Sequence, residues 1–515
     1  MSMAAIDCPV QRRGRVSGGV LAALGSLVVM GMIAARLFAP AVDPAAAETL
    51  VLHCAAGIRK PIDELARSYE AEYGTRIELH HGGSGTLLGG LIVAPDGDLY
   101  LAGDASFIAR AREHDLVREE LSLATMSAVI GVRAGVSADV DTLEDLARDD
   151  LRVGLGDPDA SAVGRVTREV LRSAGLWDAV RANVRVLKPT VGDLATDLLL
   201  GSLDVAVIWD ATALQIEGLE ARRVPAFEEH RRDVTIAVLA SSEAPQAALR
   251  FARYLAASDT GAPVFARHGF RTPPSRDPFD PRPRIVLMGG AMLHAAVEET
   301  IAEFARREGV RIDRIYNGCG LLVAQMRAGR VPDAYLSCDV SFLDMVDEHF
   351  EPGRVLSANR MVLLVPLGNP RGIVALEDLL QEGLRVGLAH PEKSALGALS
   401  RARLEAAGLA ARLDASGNVK VTSPTGDFLV NQLRTGALDV ALVYASNAAM
   451  ALDEVERVPL SIPDARAVQP MAIAVDSPHK ELLERLYVEL KGAASRARFE
   501  ELGFEWDPEG RGDGR

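Results

Sequence analysis

Two glycine-rich turns are the places in this chain where residue type and spacing point to chemistry. Gly83-Ser84-Gly85 and Gly318-Cys319-Gly320 each stand between an apolar strand pattern and a helical one. A helix start presents unpaired N–H groups and the positive end of the peptide dipole, so it attracts anions. The glycines allow close backbone approach, and Ser84 adds a hydroxyl donor that Cys319 replaces in the second turn. Each turn is followed by an aspartate, Asp104 or Asp339, at a constant offset of 235 residues (Ser84 to Cys319, Asp104 to Asp339). A carboxylate facing a bound dianion would repel it, so both aspartates read as helix caps. A lone Gly-Ser-Gly is an ordinary turn; recurrence at the same place gives this one its weight.

A second candidate set is His53-Cys54 with His80-His81, at the ends of the first two strand patterns. Nitrogen and sulfur donors of this kind suit zinc or copper, which makes a transition-metal cation binder one alternative. Successive strand residues face opposite ways, and the second copy has Met288-Gly289 and Ile315-Tyr316 there, so polar rim residues are the preferred reading. No P-loop is present and no Ser/His/Asp grouping has suggestive spacing. The chain is therefore not read as an enzyme, and no cofactor or resident metal is expected.

The elements around these turns repeat too. Leu50-Val51-Leu52 returns as Ile285-Val286-Leu287, Leu151-Arg152-Val153-Gly154-Leu155 as Leu384-Arg385-Val386-Gly387-Leu388, and Leu203-Asp204-Val205-Ala206 as Leu438-Asp439-Val440-Ala441. A period this long is a tandem duplication of a domain of about 225 residues, not a solenoid. In the first copy, strand patterns at 50–53, 76–80 and 99–102 alternate with helical spacing at 61–73 and 87–93. A second set follows, with strands at 151–155, 184–187 and 205–209 and helices at 163–174 and 194–200. The pattern predicts α/β lobes with mostly parallel sheets, two per copy, and a ligand cleft between them. Extended segments near 124–132 and 234–240 are expected to cross between lobes, with counterparts near 359–365 and 470–475.

The order strand, helix, Gly82-Gly83-Ser84-Gly85, Asp98-Leu99-Tyr100-Leu101-Ala102-Gly103-Asp104, Gly156-Asp157-Pro158 and Asp204-Val205-Ala206-Val207-Ile208-Trp209 resembles the molybdate-binding extracytoplasmic protein of ABC transporters. The likeness runs nearly end to end in each copy, closing at Phe265-Ala266-Arg267-His268-Gly269-Phe270. It implies two tandem periplasmic-binding-protein-like (type II) modules, each closing on a small oxyanion such as molybdate or tungstate through neutral donors. It also implies a separate permease and ATPase as partners. The family's second-loop hydroxyl falls on Ser84 and Cys319, between Gly83 and Gly85 and between Gly318 and Gly320. Its second-lobe helix start falls on Val163 and Leu396, its tyrosine on Trp209 and Tyr444, and its first-loop serine on Gly57 and Met292. Neither copy carries the full donor set, so the copies are expected to differ in affinity or preferred anion.

The chain has 515 residues, 48% of them hydrophobic, enough for more than one core. A formal net charge of -15 argues against nucleic acid as a partner. Arg12, Arg13 and Arg15 precede an uncharged run at 16–35, and Ala45-Ala46-Ala47-Glu48 follows, so residues 1–47 read as a signal peptide or an uncleaved membrane anchor. The anchored form would suit a ligand sensor, the cleaved form a soluble periplasmic carrier. The expected organisation is a first module at 48–270, a linker at 271–284 with five prolines, a second module at 285–508 and a tail at 509–515. Of four cysteines, Cys319 and Cys338 occupy loop positions near enough for a bridge in an exported protein, a pairing that sequence leaves open.

Overall fold

The computed structural model describes residues 49–135, 139–274, 276–460, 462 and 465–506. The expected export segment and tail lie outside these, and no helix among the described residues is long and apolar enough to cross a membrane.

The first copy opens with β1 (Thr49–Ala55), α1 (Arg59–Tyr73), β2 (Arg76–Gly82), α2 (Ser84–Val93), β3 (Leu99–Ala102), α3 (Ala105–Glu113) and β4 (Val117–Met126). Helix α1 buries Ile62, Leu65, Ala66 and Tyr69 on one face and stops at Gly74, whose φ of 74° only glycine adopts cheaply. The second lobe contains β5 (Ala128–Arg133), β6 (Val153–Gly156), α4 (Ala162–Ser173), β7 (Val184–Lys188), α5 (Val191–Leu199), β8 (Val205–Trp209) and β9 (Leu219–Arg222). The chain then returns to the first lobe through β10 (Arg232–Leu239) and α6 (Pro245–Ala256). The sheets run β2-β1-β3-β10-β4 and β7-β6-β8-β5-β9. In each lobe the first three strands are parallel, and the strand arriving from the other lobe is antiparallel to its neighbour.

The second copy repeats this with β11 (Arg284–Gly290), α7 (His294–Glu308), β12 (Arg311–Asn317), α8 (Cys319–Arg327), β13 (Ala334–Leu336) and β14 (Arg354–Pro366). Its second lobe holds β15 (Val386–Ala389), α9 (Ala395–Ala406), β16 (Val419–Ser423), α10 (Gly426–Arg434), β17 (Val440–Tyr444) and β18 (Val455–Pro459). β19 (Arg466–Ile473), α11 (Lys480–Leu490) and β20 (Glu505–Trp506) complete the first lobe. Here β14 runs unbroken through both lobes and joins them into one ten-stranded sheet. Each copy has its own core, one reaching from Leu50 to Phe270 and the other from Ile285 to Phe504.

The outward crossings fall where expected, and the return crossings do not. Residues 234–240 belong to β10, paired with β3 and β4 inside the first lobe; the chain has already crossed between β9 and β10. Likewise 470–475 lies at the end of β19 and beyond it, and the crossing falls between β18 and β19. An apolar strand reads the same whichever sheet receives it, which explains the shift.

The copies dock through their first lobes around Glu308, whose side chain has no exposed surface. Its carboxylate takes Arg485 of α11 through Nε at 3.0 Å and Nη2 at 2.9 Å, and Arg253 of α6 through Nη1 at 3.1 Å. Around this cluster Arg307 joins Glu119 of β4 to Glu489, and Arg276 of the linker joins Glu481 to the Ser122 carbonyl. Burial disfavours the Glu308 charge, but the Arg485 and Arg253 guanidiniums outweigh it and hold the carboxyl below its usual range. Because the folded-state value is depressed, this contribution is present above the ordinary Glu range near pH ~4.3 and is lost as pH falls below it. Glu308→Ala leaves two buried guanidiniums without their shared partner and is expected to cost about 3–5 kcal/mol. Urea unfolding at neutral pH checks this; a midpoint equal to that of the parent chain would show that the cluster does not hold the copies together.

Candidate functional site

The first cleft is formed where α2 of one lobe meets α4 and the loop before α5 of the other. A Cβ added to Gly83 would stand 2.4 Å from the carbonyl oxygens of Ala160 and Pro189, and one on Gly85 would stand 2.1 Å from that of Asp159. The lobes therefore touch at these glycines. The N–H groups of Gly85 and Thr86 donate to the Ala160 carbonyl across the cleft, at 3.0 and 3.3 Å. Gly83 and Gly85 thus serve lobe contact as well as any ligand approach.

Ser84 is buried; its Oγ accepts the Gly103 N–H at 3.2 Å, and its carbonyl accepts the Tyr100 hydroxyl at 2.7 Å. Because the hydroxyl is used as an acceptor there, its proton is left to donate. On the opposite wall, Ser161 caps α4 by accepting the Gly164 N–H at 3.1 Å, while its hydroxyl donates to the Asp157 carbonyl at 2.9 Å. The N–H groups of Ala162 and Val163 are left at the helix start without intrahelical partners. Both residues line the cleft beside Ser84, Gly57 and Trp209, and no residue lining it has a titratable side chain among the described residues.

Gly57 and Trp209 constrain one another. A Cβ on Gly57 would lie 2.9 Å from Trp209 Cδ1 and 3.3 Å from its Nε1, so a serine here would collide with the indole. The indole of Trp209 thus occupies the space that a side chain at position 57 would need. The next residue, Asp210, escaped sequence reading: its Oδ1 accepts the N–H groups of Ser127 at 3.1 Å and Ala211 at 2.8 Å. That carboxylate ties the break between β4 and β5 to the end of β8, and burial pushes its carboxyl up. Its only sequence signal is an acid directly after an apolar strand, and the second copy has Ala445 there.

The second cleft keeps the lobe contact and changes the donors. Cβ atoms on Gly318 and Gly320 would meet the carbonyls of Lys393 at 2.5 Å and Glu392 at 2.2 Å. Cys319, at the position of Ser84, is bonded to Cys338, which settles the pairing left open by sequence. Met292 and Leu396 are buried apolar residues and Leu396 lies in the first turn of α9. Tyr444 is 2% exposed, and its hydroxyl has no hydrogen-bond partner. Burial and the Asp339 carboxylate push that hydroxyl well above its usual range, so it stays protonated.

Asp104 and Asp339 cap helix starts as read, accepting from Ser106 N at 2.8 Å and Ser341 N at 3.0 Å. Cys54 pairs in register with His81, and His53 with His80, so the four split between the two faces of the sheet. His53 meets Asp96 at 3.3 Å and His81 meets Asp63 at 3.1 Å, and among the described residues no group of three His, Cys, Asp or Glu could hold a metal ion.

A family model described as bacterial extracellular solute-binding protein matches the chain twice, at residues 50–271 and 285–505. A binding protein of Haemophilus influenzae is 28% identical over 225 residues, 44% of this chain and 91% of that protein. A molybdate-binding protein of Mycobacterium bovis is 26% identical over 228 residues, 43% of this chain and 84% of its own length. Among solved structures, the periplasmic molybdate-binding protein of Azotobacter vinelandii covers 44% of this chain and 99% of its own, at 16% identity and a TM-score of 0.39. With both copies matched from first strand to last, the chain belongs to the bacterial extracellular solute-binding protein family, as a tandem pair of type II α/β modules.

Proposed function

We propose that the first module captures a tetrahedral oxyanion dianion, of the molybdate or tungstate kind, for delivery to a separate ABC permease and ATPase outside the cytoplasm. The observation that carries this is the lining of the first cleft: hydroxyl and backbone donors face it, and no titratable side chain does. A fully deprotonated dianion is satisfied by donors alone, whereas hydrogen phosphate brings a proton that needs an acceptor. Neutral donors in a closed cleft also act in a low dielectric, where each counts for more than in water. The named function of the Mycobacterium bovis relative supports the same ligand class.

Ser84 donates through its hydroxyl, Ala162 and Val163 through their N–H groups, and Trp209 supplies an indole N–H close to where Gly57 leaves room. Ligand contacts exist on both walls only when the lobes are closed, so the anion favours closure by the sum of those extra contacts. The closed surface is what a permease would recognise.

Ser84→Ala is expected to weaken tungstate binding to the first cleft by about 0.5–1.5 kcal/mol, read by calorimetry, because one neutral donor is lost. Gly85→Val should remove binding altogether, since its side chain meets the Asp159 carbonyl and holds the lobes apart. Unchanged affinity in both variants would put the ligand elsewhere. Gly57→Ser alone should weaken binding through overpacking against Trp209, by about 1–3 kcal/mol, and adding Trp209→Tyr should restore it. Equal affinity of single and double variants would uncouple the two positions. Fractionation should find the protein outside the cytoplasm, soluble from near Glu48 or membrane-bound with residues 16–35 retained; a cytosolic full-length chain would remove the transport reading.

A further inference from the structure

Three differences between the copies meet at one point. At the offset of 235, Ala55, Ser84 and Gly103 of the first cleft become Gly290, Cys319 and Cys338 of the second. The Ser84 Oγ that accepts the Gly103 N–H is matched by Cys319 Sγ, which accepts the Cys338 N–H at 3.1 Å and is also bonded to Cys338 Sγ. A Cβ on Gly290 would lie 2.4 Å from Cys338 Sγ and 3.3 Å from Cys319 Sγ, so the alanine of the first copy is incompatible with the bridge. The glycine and the two cysteines therefore form one built feature that places sulfur where the first cleft keeps a hydroxyl. A disulfide has no proton to donate.

The Tyr444 hydroxyl is a second, independent observation in the same module. It is buried at the position that Trp209 holds in the first cleft wall, and it has no partner. Leaving such a donor unmet is costly, and an acceptor oxygen from a ligand would recover that cost.

Resting on the oxyanion reading of the first cleft, we propose that the Cys319–Cys338 bridge sets how many anions the chain holds. With the bridge intact only the first cleft takes the dianion. Reduction by a dithiol breaks the S–S bond; two electrons and two protons pass to the cysteine sulfurs, and the dithiol leaves as its own disulfide. The second cleft then regains a donor in the Cys319 S–H, at the start of α8, to act with the Tyr444 hydroxyl. Both cysteines are buried while Gly318 and Gly320 press on the opposite lobe, so reduction proceeds from the open form.

The test counts tungstate ions per full-length mature chain by calorimetry, in the oxidised protein and after dithiothreitol treatment followed by anaerobic removal of the dithiol. A Cys319→Ser/Cys338→Gly double variant, which reproduces the first copy's pair, forms a third arm independent of redox state. We expect one ion in the oxidised chain and two in the other arms. One ion in all three, or two already in the oxidised chain, overturns the proposal and leaves the first-cleft reading standing. No ion in the oxidised chain and one in both other arms would sink the first-cleft reading alone, and no binding in any arm would sink both.

Discussion

In each module the two lobes meet where two glycines of the first face backbone carbonyls of the second, and no side chain fits between them. The gap is set by peptide groups alone, so its geometry does not depend on rotamers. In the first module the Ala160 carbonyl takes the N–H groups of Gly85 and Thr86, which uses the positive end of α2 to hold the lobes together. The dipole that most resembles an anion site in the sequence is thus partly answered by protein. What the lobe contact leaves unused is the Ser84 hydroxyl proton from α2 and the helix start of α4 on the other wall. One helix start is used in lobe contact, and the other keeps its first N–H groups without intrahelical partners. The two N–H···O bonds across the cleft are each worth about 0.5–1.5 kcal/mol net.

The junction between modules is built from a different kind of contact. Arg253, Glu308 and Arg485 form a buried ion cluster, and Arg307 and Arg276 extend it with pairs that are only partly exposed. Taking such charges apart is far more costly than breaking the lobe contacts. These groups all lie on first lobes or on the linker, so the junction involves neither second lobe. Cutting the chain at the linker would uncover Glu308 in one half and Arg253 in the other, and the halves would not behave as the whole.

The duplication, the α/β class and most strand and helix positions were legible in the sequence because periodicity and apolar runs are local. The return crossings were not, since β10 and β19 are apolar strands that either sheet could accept. The mutual exclusion of Gly57 and a serine by Trp209 was equally hidden: it is a contact between residues more than a hundred positions apart. The role of Asp210 is hidden for the same reason, since it exists only where Ser127 stands beside it. By contrast, Asp104 and Asp339 were read correctly as caps, because a cap involves only the next few residues.

The two copies together separate the requirements of closure from those of binding. Positions where the lobes meet without room for a side chain are alike, Gly83 and Gly318 and Gly85 and Gly320, and so are Pro189 and Pro424, whose carbonyls face the first pair. Other matched positions differ: Gly57 and Met292, Ser84 and Cys319, Trp209 and Tyr444. A backbone contact tolerates no side chain, so any change there costs the fold of the cleft itself. A donor can be exchanged for another group of similar volume at the cost of one hydrogen bond, about 0.5–1.5 kcal/mol, well inside the stability of a domain. The contrast follows from that difference in cost, and it leaves the glycines where the lobes meet unchanged while the other matched positions vary.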